Sequence, residues 1–252
     1  MPTPKSVFIT GASSGLGRGL ALHFAKAGAR VFAAARRKDE LAKLAAEAEP
    51  GAIVPVPLDV QDIDALVNAV HRAEEESGGA LEMVIANAGL GHPTSARKID
   101  WAMVKKIMDV NVTAACVTVA AALPKMVARD HGHVVAVSSL AAFRGMPGNG
   151  AYCASKAAVH TFMESIRVDL RRTRVKATTI YPGFVKTELT AKNKFRMPFL
   201  MELDDAVKVM ARGLARGART ISFPLPMAAV TRTLGALPSA VYEPLAGRMR
   251  MF

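Results

Sequence analysis

The stretch Val7-Phe8-Ile9-Thr10-Gly11-Ala12-Ser13-Ser14-Gly15-Leu16-Gly17 decides the fold. A short apolar run ends in a Gly-x-x-x-Gly-x-Gly turn. Leu16, Leu20, Phe24 and Ala27 then recur at helical spacing until Gly28. That pattern is strand, glycine turn, helix. Glycines let backbone amides approach a pyrophosphate, and the helix N-terminus adds partial positive charge at the same place. The plainer reading is a tight turn without a ligand. A rival is the Gly-x-Ser-x-Gly elbow of serine hydrolases, with Ser13 as nucleophile. That elbow normally follows several strands and needs an acid and a histidine downstream. His131, His133 and His160 stand in no recognisable triad context.

Outward from this turn, strands and helices alternate. Ala29 to Ala35 reads as a second strand, running into Arg36-Arg37-Lys38. An acidic residue at the end of this strand would suit the ribose 2′-hydroxyl of NAD, and an arginine suits the 2′-phosphate of NADP. No acid precedes Arg36, so a dinucleotide bound here is expected to be NADP(H) in preference to NAD(H). The plainer reading is a solvated basic turn. Asp39 to Glu49 reads as a helix. Ala52 to Leu58 reads as a third strand whose Pro55 and Pro57 suit an edge. A helix over Gln61 to Glu76 follows, then a buried strand over Leu81 to Ala86 ending in Asn87-Ala88-Gly89. Ile99 to Ala128 reads as one long helical region containing Asn111. The remaining pattern is a strand over His133 to Ser139, a helix over Tyr152 to Arg172, a strand over Lys176 to Tyr181, a helix over Asp204 to Ala215 and a last strand over Thr220 to Phe223.

This alternation predicts an α/β fold: one Rossmann-like, doubly wound parallel sheet of about seven strands with helices on both faces. Right-handed crossovers and an edge third strand give the order 3-2-1-4-5-6-7. Residues 1 to 252 read as a single domain. Ligands of such sheets bind beyond the carboxyl ends of the strands, where Gly11 to Gly17, Arg36, Asp59, Asn87, Ser139 and Pro182-Gly183 all fall.

Composition narrows the class. The 252 residues are 51% hydrophobic, enough to bury a large core. The formal charge is +12, but the basic residues are dispersed, aromatics are few and no nucleic-acid-binding motif occurs. A field that favours phosphorylated cofactors or anionic membranes accounts for the charge as well. Cys116 and Cys153 form no metal-binding or CxxC spacing, which suits a reducing, cytoplasmic setting. No signal-peptide pattern follows Met1. The longest apolar run, about Val110 to Ala122 and stopped by Pro124, reads as too short to span a membrane. No metal site is expected.

The second informative stretch is Ser138-Ser139 through Tyr152-Cys153-Ala154-Ser155-Lys156. On a helix, i,i+4 spacing stacks Tyr152 and Lys156 on one face. A nearby cation favours phenolate, and a fall of roughly three units from a free pKa near 10 takes about 4 kcal/mol. Alone, such a pair is common on helices.

Together the motifs resemble the short-chain dehydrogenase/reductase family over about residues 5 to 190. The resemblance rests on Thr10-Gly-Ala-Ser-Ser-Gly-Leu-Gly17, Asp59-Val60, Asn87-Ala-Gly89, Asn111, Ser139, Tyr152-x-x-x-Lys156 and Pro182-Gly183. Ala86 departs from the second Asn that many members carry. The resemblance implies NAD(P)-dependent interconversion of carbonyls and alcohols. It selects Ser139 over Ser138 and makes Tyr152 the general acid/base. Lys156 would tune the phenol and hold the nicotinamide ribose, and Asn111 would hold a water that resupplies protons. Gly11, Ser13, Ser14, Gly15, Leu16 and Gly17 would hold the pyrophosphate and ribose. Arg36, and after it Arg37, would meet the 2′-phosphate. Asp59 and Val60 would flank adenine, and Asn87, Ala88 and Gly89 would line the adenosine side. Pro182, Gly183, Val185 and Thr187 would hold the carboxamide end. A homodimer or homotetramer is implied. A non-catalytic dinucleotide sensor is the alternative on the same fold, although it would not need the Asn111, Ser139, Tyr152, Lys156 set.

The expected substrate loop, about 188–202, carries Phe195, Met197, Pro198, Phe199, Leu200 and Met201 beside Lys192, Lys194 and Arg196. It reads as a lid over an apolar pocket for a bulky hydrophobic ketone or aldehyde. The plainer reading is a loop packed on the sheet end. Residues 224–252 read as extra lid or oligomer surface. Their sharper reading is a peripheral membrane contact, since apolar anchors alternate with Arg232, Arg248 and Arg250. Prolines weaken a continuous helix there.

Overall fold

Side-chain alternation along the strands decides which helices cover which face. In the computed structural model, which describes residues 3–79, 81–191 and 197–248, β1 (Ser6–Thr10) sends Val7 and Ile9 to one side and Phe8 to the other. Its neighbour β2 (Arg30–Ala35) splits Val31, Ala33 and Ala35 from Phe32 and Ala34 in the same way. The first face is covered by α1 (Gly15–Lys26), α2 (Lys38–Ala46) and α8 (Leu203–Ala215). The second is covered by α3 (Ile63–Glu76), α5 (Ala114–Ala128) and α6 (Gly150–Asp169). Phe8, Phe32, Leu20, Leu66 and Ile85 are among the fully buried side chains, each contributing roughly 1.5–3 kcal/mol of transfer free energy.

The sheet is completed by β3 (Ile53–Pro57), β4 (Met83–Ala86), β5 (His133–Val137), β6 (Lys176–Pro182) and β7 (Thr220–Phe223). All pairs are parallel, and the order is β3-β2-β1-β4-β5-β6-β7, as the alternation predicts. Pro55 and Pro57 pair in register with Ala33 and Ala35 on the outermost strand, where their missing donors cost no ladder bond. The order reverses between β1 and β4, which opens a crevice at the carboxyl ends of those two strands.

One expectation needs correction, and two gain detail. The region from Ile99 is not one uninterrupted helix: α4 (Trp101–Met108) passes into a π-helical turn, Asp109–Thr113, before α5. The extra residue in that turn places Asn111, which is buried, against other elements. Pro124 leaves the helix running to Ala128, as expected. The carbonyl it leaves unpaired belongs to exposed Ala120, where water can satisfy it. Trp101–Ala128 is therefore long and apolar enough, by length and composition, to cross a membrane. Here Val110, Ala114, Val119, Ala122 and Met126 of that stretch pack into the core beneath the sheet. Finally, the last segment forms two helices, α9 (Leu225–Ala236) and α10 (Ser239–Arg248), separated at Leu237-Pro238. A four-residue helix α7 (Glu188–Ala191) opens the substrate loop. Lys192, Lys194, Phe195 and Arg196, and in the tail Arg250, lie outside the described residues.

Candidate active site

Of the three glycines after β1, two are required by packing. A Cβ on Gly17 would collide with Asn87 Nδ2 and the Gly11 carbonyl, and one on Gly11 would lie 2.8 Å from Ala88 Cα. Asn87 fills this contact because it ends β4 beside β1. Its Nδ2 donates to the carbonyls of Thr10 (2.9 Å) and Gly11 (3.2 Å). Thr10 Oγ1 accepts from the backbone N–H groups of Asn87 and Ala88, both at 3.0 Å. Sequence reading missed Thr10 as the clamp between the two strands. Gly15, at φ +54°, has the left-handed backbone that starts α1.

The start of α1 is suited to an anion. Its N-cap Ser14 makes no side-chain capping bond, and no acidic residue stands in the first turn. The first-turn N–H groups and the helix dipole therefore face the crevice without competition. Ser13 Oγ accepts from Arg37 Nε at 3.2 Å, across from the end of β2. The hydrolase reading needs a histidine at that serine, and the chain supplies a guanidinium. Arg37 Nη1 also pairs with Glu188 Oε2 at 3.0 Å, and Arg36 and Arg37 are both exposed. Asp59 accepts from the backbone of Gln61 (3.1 Å), and Val60 is buried in the core.

The carboxyl ends of β5 and β6 carry the other half of the crevice. Ser139 follows β5 and caps a 3-10 turn, Leu140–Ala142. Its Oγ accepts from Ala141 N (3.1 Å) and makes a long bond to the Pro182 carbonyl (3.3 Å). The Tyr152 phenol stands close to Ser139, near enough for that hydroxyl to favour the phenolate. The neighbouring Ser138 turns inward and donates to the Lys156 carbonyl at 2.8 Å. The two serines thus face different ways, as alternation at a strand end requires.

Tyr152 and Lys156 lie in the first two turns of α6, with Lys156 Nζ 5.8 Å from the phenol ring centroid. Lys156 is buried, and its Nζ donates to the Val137 carbonyl at 2.9 Å. Burial pulls its pKa down to about 8. Desolvation also pushes the Tyr152 phenol above its ordinary value, opposed by the neighbouring Ser139 hydroxyl. Desolvation is the leading influence on this phenol.

Asn111 joins this group from the π turn. Its Oδ1 accepts from Leu90 N at 2.7 Å, and its Nδ2 donates to the Leu90 carbonyl (2.9 Å) and to Ser155 Oγ (3.0 Å). Ser155 donates in turn to the Tyr152 carbonyl at 2.7 Å. Ser155 escaped the sequence reading although it lies inside the Tyr-x-x-x-Lys motif. Its signal was a serine on the buried face of an apolar helix. With both amide hydrogens engaged, Asn111 can meet a water only as an acceptor. A Cβ built on Gly89 would lie 3.4 Å from Lys156 Nζ and 3.6 Å from Asn111 Oδ1, so the three meet at one point.

The loop after β6 closes the ring. Gly183 N donates to the Phe223 carbonyl (2.7 Å), Val185 is buried, and the Thr187 side chain reaches Gly15. In the substrate loop, Phe199 and Leu200 are exposed and Met201 pairs with Val185. Among the described residues, no group of three or more His, Cys, Asp or Glu side chains converges as metal ligands.

A switch-point crevice with an anion-ready helix start, facing half-buried Ser139 and Tyr152 and buried Lys156, defines an NAD(P)-dependent oxidoreductase. The family model for short chain dehydrogenases matches residues 5–197. An uncharacterized oxidoreductase of Myxococcus xanthus is 52% identical over 248 residues, 98% of each chain. Among solved structures, a short chain dehydrogenase from Burkholderia cenocepacia in complex with NADP superposes with TM-score 0.83 at 26% identity, covering 97% of this chain and 98% of that one. A 3-ketoacyl-(acyl-carrier-protein) reductase from Brucella melitensis complexed with NADH does so with TM-score 0.79 at 25% identity, covering 87% and 96%. The chain belongs to the short chain dehydrogenase family.

Proposed function

We propose that the protein is an NADP(H)-dependent enzyme that interconverts a ketone or aldehyde and its alcohol, with Tyr152 as general acid/base. The observation that carries this reading is the half-buried Tyr152 phenol beside Ser139, with the buried Lys156 Nζ 5.8 Å from its ring centroid. When bound, the nicotinamide supplies or accepts the hydride at the substrate carbon. In reduction, Tyr152 gives its proton to the substrate oxygen as the carbonyl π pair moves onto that atom. Ser139 donates to the same oxygen, where negative charge develops. Lys156, charged below about pH 8, stabilises the resulting phenolate and holds the nicotinamide ribose. Asn111 accepts from a water that returns a proton to this group.

Gly11, Ser13, Ser14, Gly15, Leu16 and Gly17 would receive the pyrophosphate and adenosine ribose, with Asp59, Val60, Asn87, Ala88 and Gly89 on the adenine side. Pro182, Gly183, Val185 and Thr187 would take the carboxamide. Arg36 and Arg37 meet the 2′-phosphate, and the contact of Arg37 with Ser13 favours Arg37 as the nearer of the two. The NADP-bound relative at 26% identity lends support to the cofactor. Exposed Leu189, Phe199 and Leu200 at the substrate loop support a bulky hydrophobic substrate. A homo-oligomer working in the cytoplasm, with 224–252 as lid, interface or peripheral membrane contact, completes the reading. The test is a panel of hydrophobic ketones and aldehydes, followed by loss of reduced-nicotinamide absorbance with NADPH and NADH in parallel. Turnover of a bulky ketone with NADPH well above that with NADH is expected. Equal rates with both cofactors would overturn the cofactor assignment.

A further inference from the structure

One guanidinium joins two segments distant in sequence, since Arg37 reaches Ser13 and also Glu188, 151 residues from itself. Arg37 is the N-cap of α2, directly after β2. Its Nε is spent on Ser13 of the phosphate-binding turn, and its Nη1 on Glu188, the first residue of α7 and of the substrate loop. Beside this pair, Thr187 rests on Gly15: a Cβ there would lie 3.3 Å from Thr187 Cγ2. The start of the substrate loop is thus fastened to the cofactor turn by one ion pair and one van der Waals contact.

A 2′-phosphate held at Ser13 would meet the same guanidinium. It carries a charge near −2 where Glu188 carries −1, and it would stand close to that carboxylate. Two anions sharing one cation at this range repel each other. The pair is also solvent-accessible, with 46% and 64% of the two side chains exposed, so it is weak enough to be exchanged.

We infer that Glu188 is a cofactor-discriminating residue: it competes with the 2′-phosphate for Arg37, so that NADP(H) unfastens the substrate loop and NAD(H) leaves it tied. The inference rests on the reading that Arg37 meets the 2′-phosphate. Through this exchange the loop over the substrate site responds to which dinucleotide is loaded. The cofactor preference is set by a carboxylate on the substrate side as well as by the arginines at the end of β2.

The experiment is direct binding of NADPH and NADH to the full chain, by calorimetry at low ionic strength, for the parent, Glu188→Gln and Arg37→Ala. Glu188→Gln is expected to bind NADPH roughly three- to tenfold more tightly, with NADH changed less than twofold. Unchanged or weaker NADPH binding in that variant would overturn the inference. Arg37→Ala tests the underlying reading separately: it is expected to weaken NADPH selectively, and equal weakening of both cofactors would remove the reading itself. Hydrogen exchange over 188–191 gives a second measure. It is expected to rise with saturating NADPH and not with NADH, and identical exchange with both would count against the tether.

Discussion

Half-buried Tyr152 and buried His133 respond to pH in different ways. Tyr152 keeps its proton through neutral pH because burial disfavours the phenolate. That state is ready to give a proton and unready to take one. Carbonyl reduction is therefore expected to hold its rate across neutral pH, while alcohol oxidation rises with pH. Profiles of kcat in both directions test this, and oxidation that is flat from pH 7 to 10 would contradict it. Tyr152→Phe should remove turnover in either direction and leave NADPH binding nearly intact. His133 acts on stability instead. Thr178 Oγ1 donates to the Ala218 carbonyl (2.6 Å), so it accepts from His133 Nε2–H (2.7 Å). The ring is a neutral tautomer whose Nδ1 has no partner among the described residues. Burial lowers its pKa from 6.5 to about 4. Between those values the unfolded chain binds the proton and the folded one does not. Stability is then full above pH 6.5 and lost as pH falls toward 4, by up to about 3 kcal/mol. Urea midpoints at pH 7 and pH 4.5 would show the loss, which His133→Asn should reduce.

At the scale of elements, the turn between β1 and α1 is a packing device as well as a phosphate cradle. Gly17→Ala drives a methyl into Asn87 and the Gly11 carbonyl, and neither can retreat without breaking the Asn87 bonds that join β1 to β4. A loss of about 1–3 kcal/mol is expected, read as a lower Tm, together with weaker dinucleotide binding. A variant of parental stability would show that the strands can part without cost. The glycine pattern itself was legible in sequence. Which of its glycines serve packing was not, because their partner Asn87 lies some seventy residues away. The π turn was hidden for a similar reason: nothing local to Asp109–Thr113 demands it, and it exists because Asn111 must reach Leu90 and Ser155.

At the scale of the molecule, the two C-terminal helices brace the loop that leads into the Tyr152 helix. Tyr242 Oη donates to the Gly145 carbonyl (2.5 Å), and the Arg144 guanidinium lies 4.3 Å from the Tyr242 ring centroid. Gly235 abuts the Phe143 carbonyl, Arg232 stands over the Phe143 ring, and Ala228 shares a small apolar cluster with Leu140 and Tyr181. Deleting the chain after Pro224 uncovers that cluster and frees the 143–146 loop. Loss of most of the turnover is expected with NADPH affinity changed only a few-fold, since the phosphate turn lies on the far side of the sheet centre. A truncated protein with parental kcat would show that the brace is dispensable. Fractionation of the same protein with anionic vesicles tests the membrane contact, which requires that partitioning fall on truncation.

Periodicity and short motifs determined the strand order, the edge position of β3 and the cluster of site residues at the strand ends. Each of these depends on local alternation, on glycine and proline backbone limits, or on fixed crossover handedness. Only the tertiary structure decided how the charges balance. Whether Lys156 acidifies Tyr152 depends on how much water both have lost, and Arg37 is drawn to Ser13 and Glu188 by where three distant segments come together. Desolvation and ion pairing depend on distance in space, and spacing along the chain carries no measure of it.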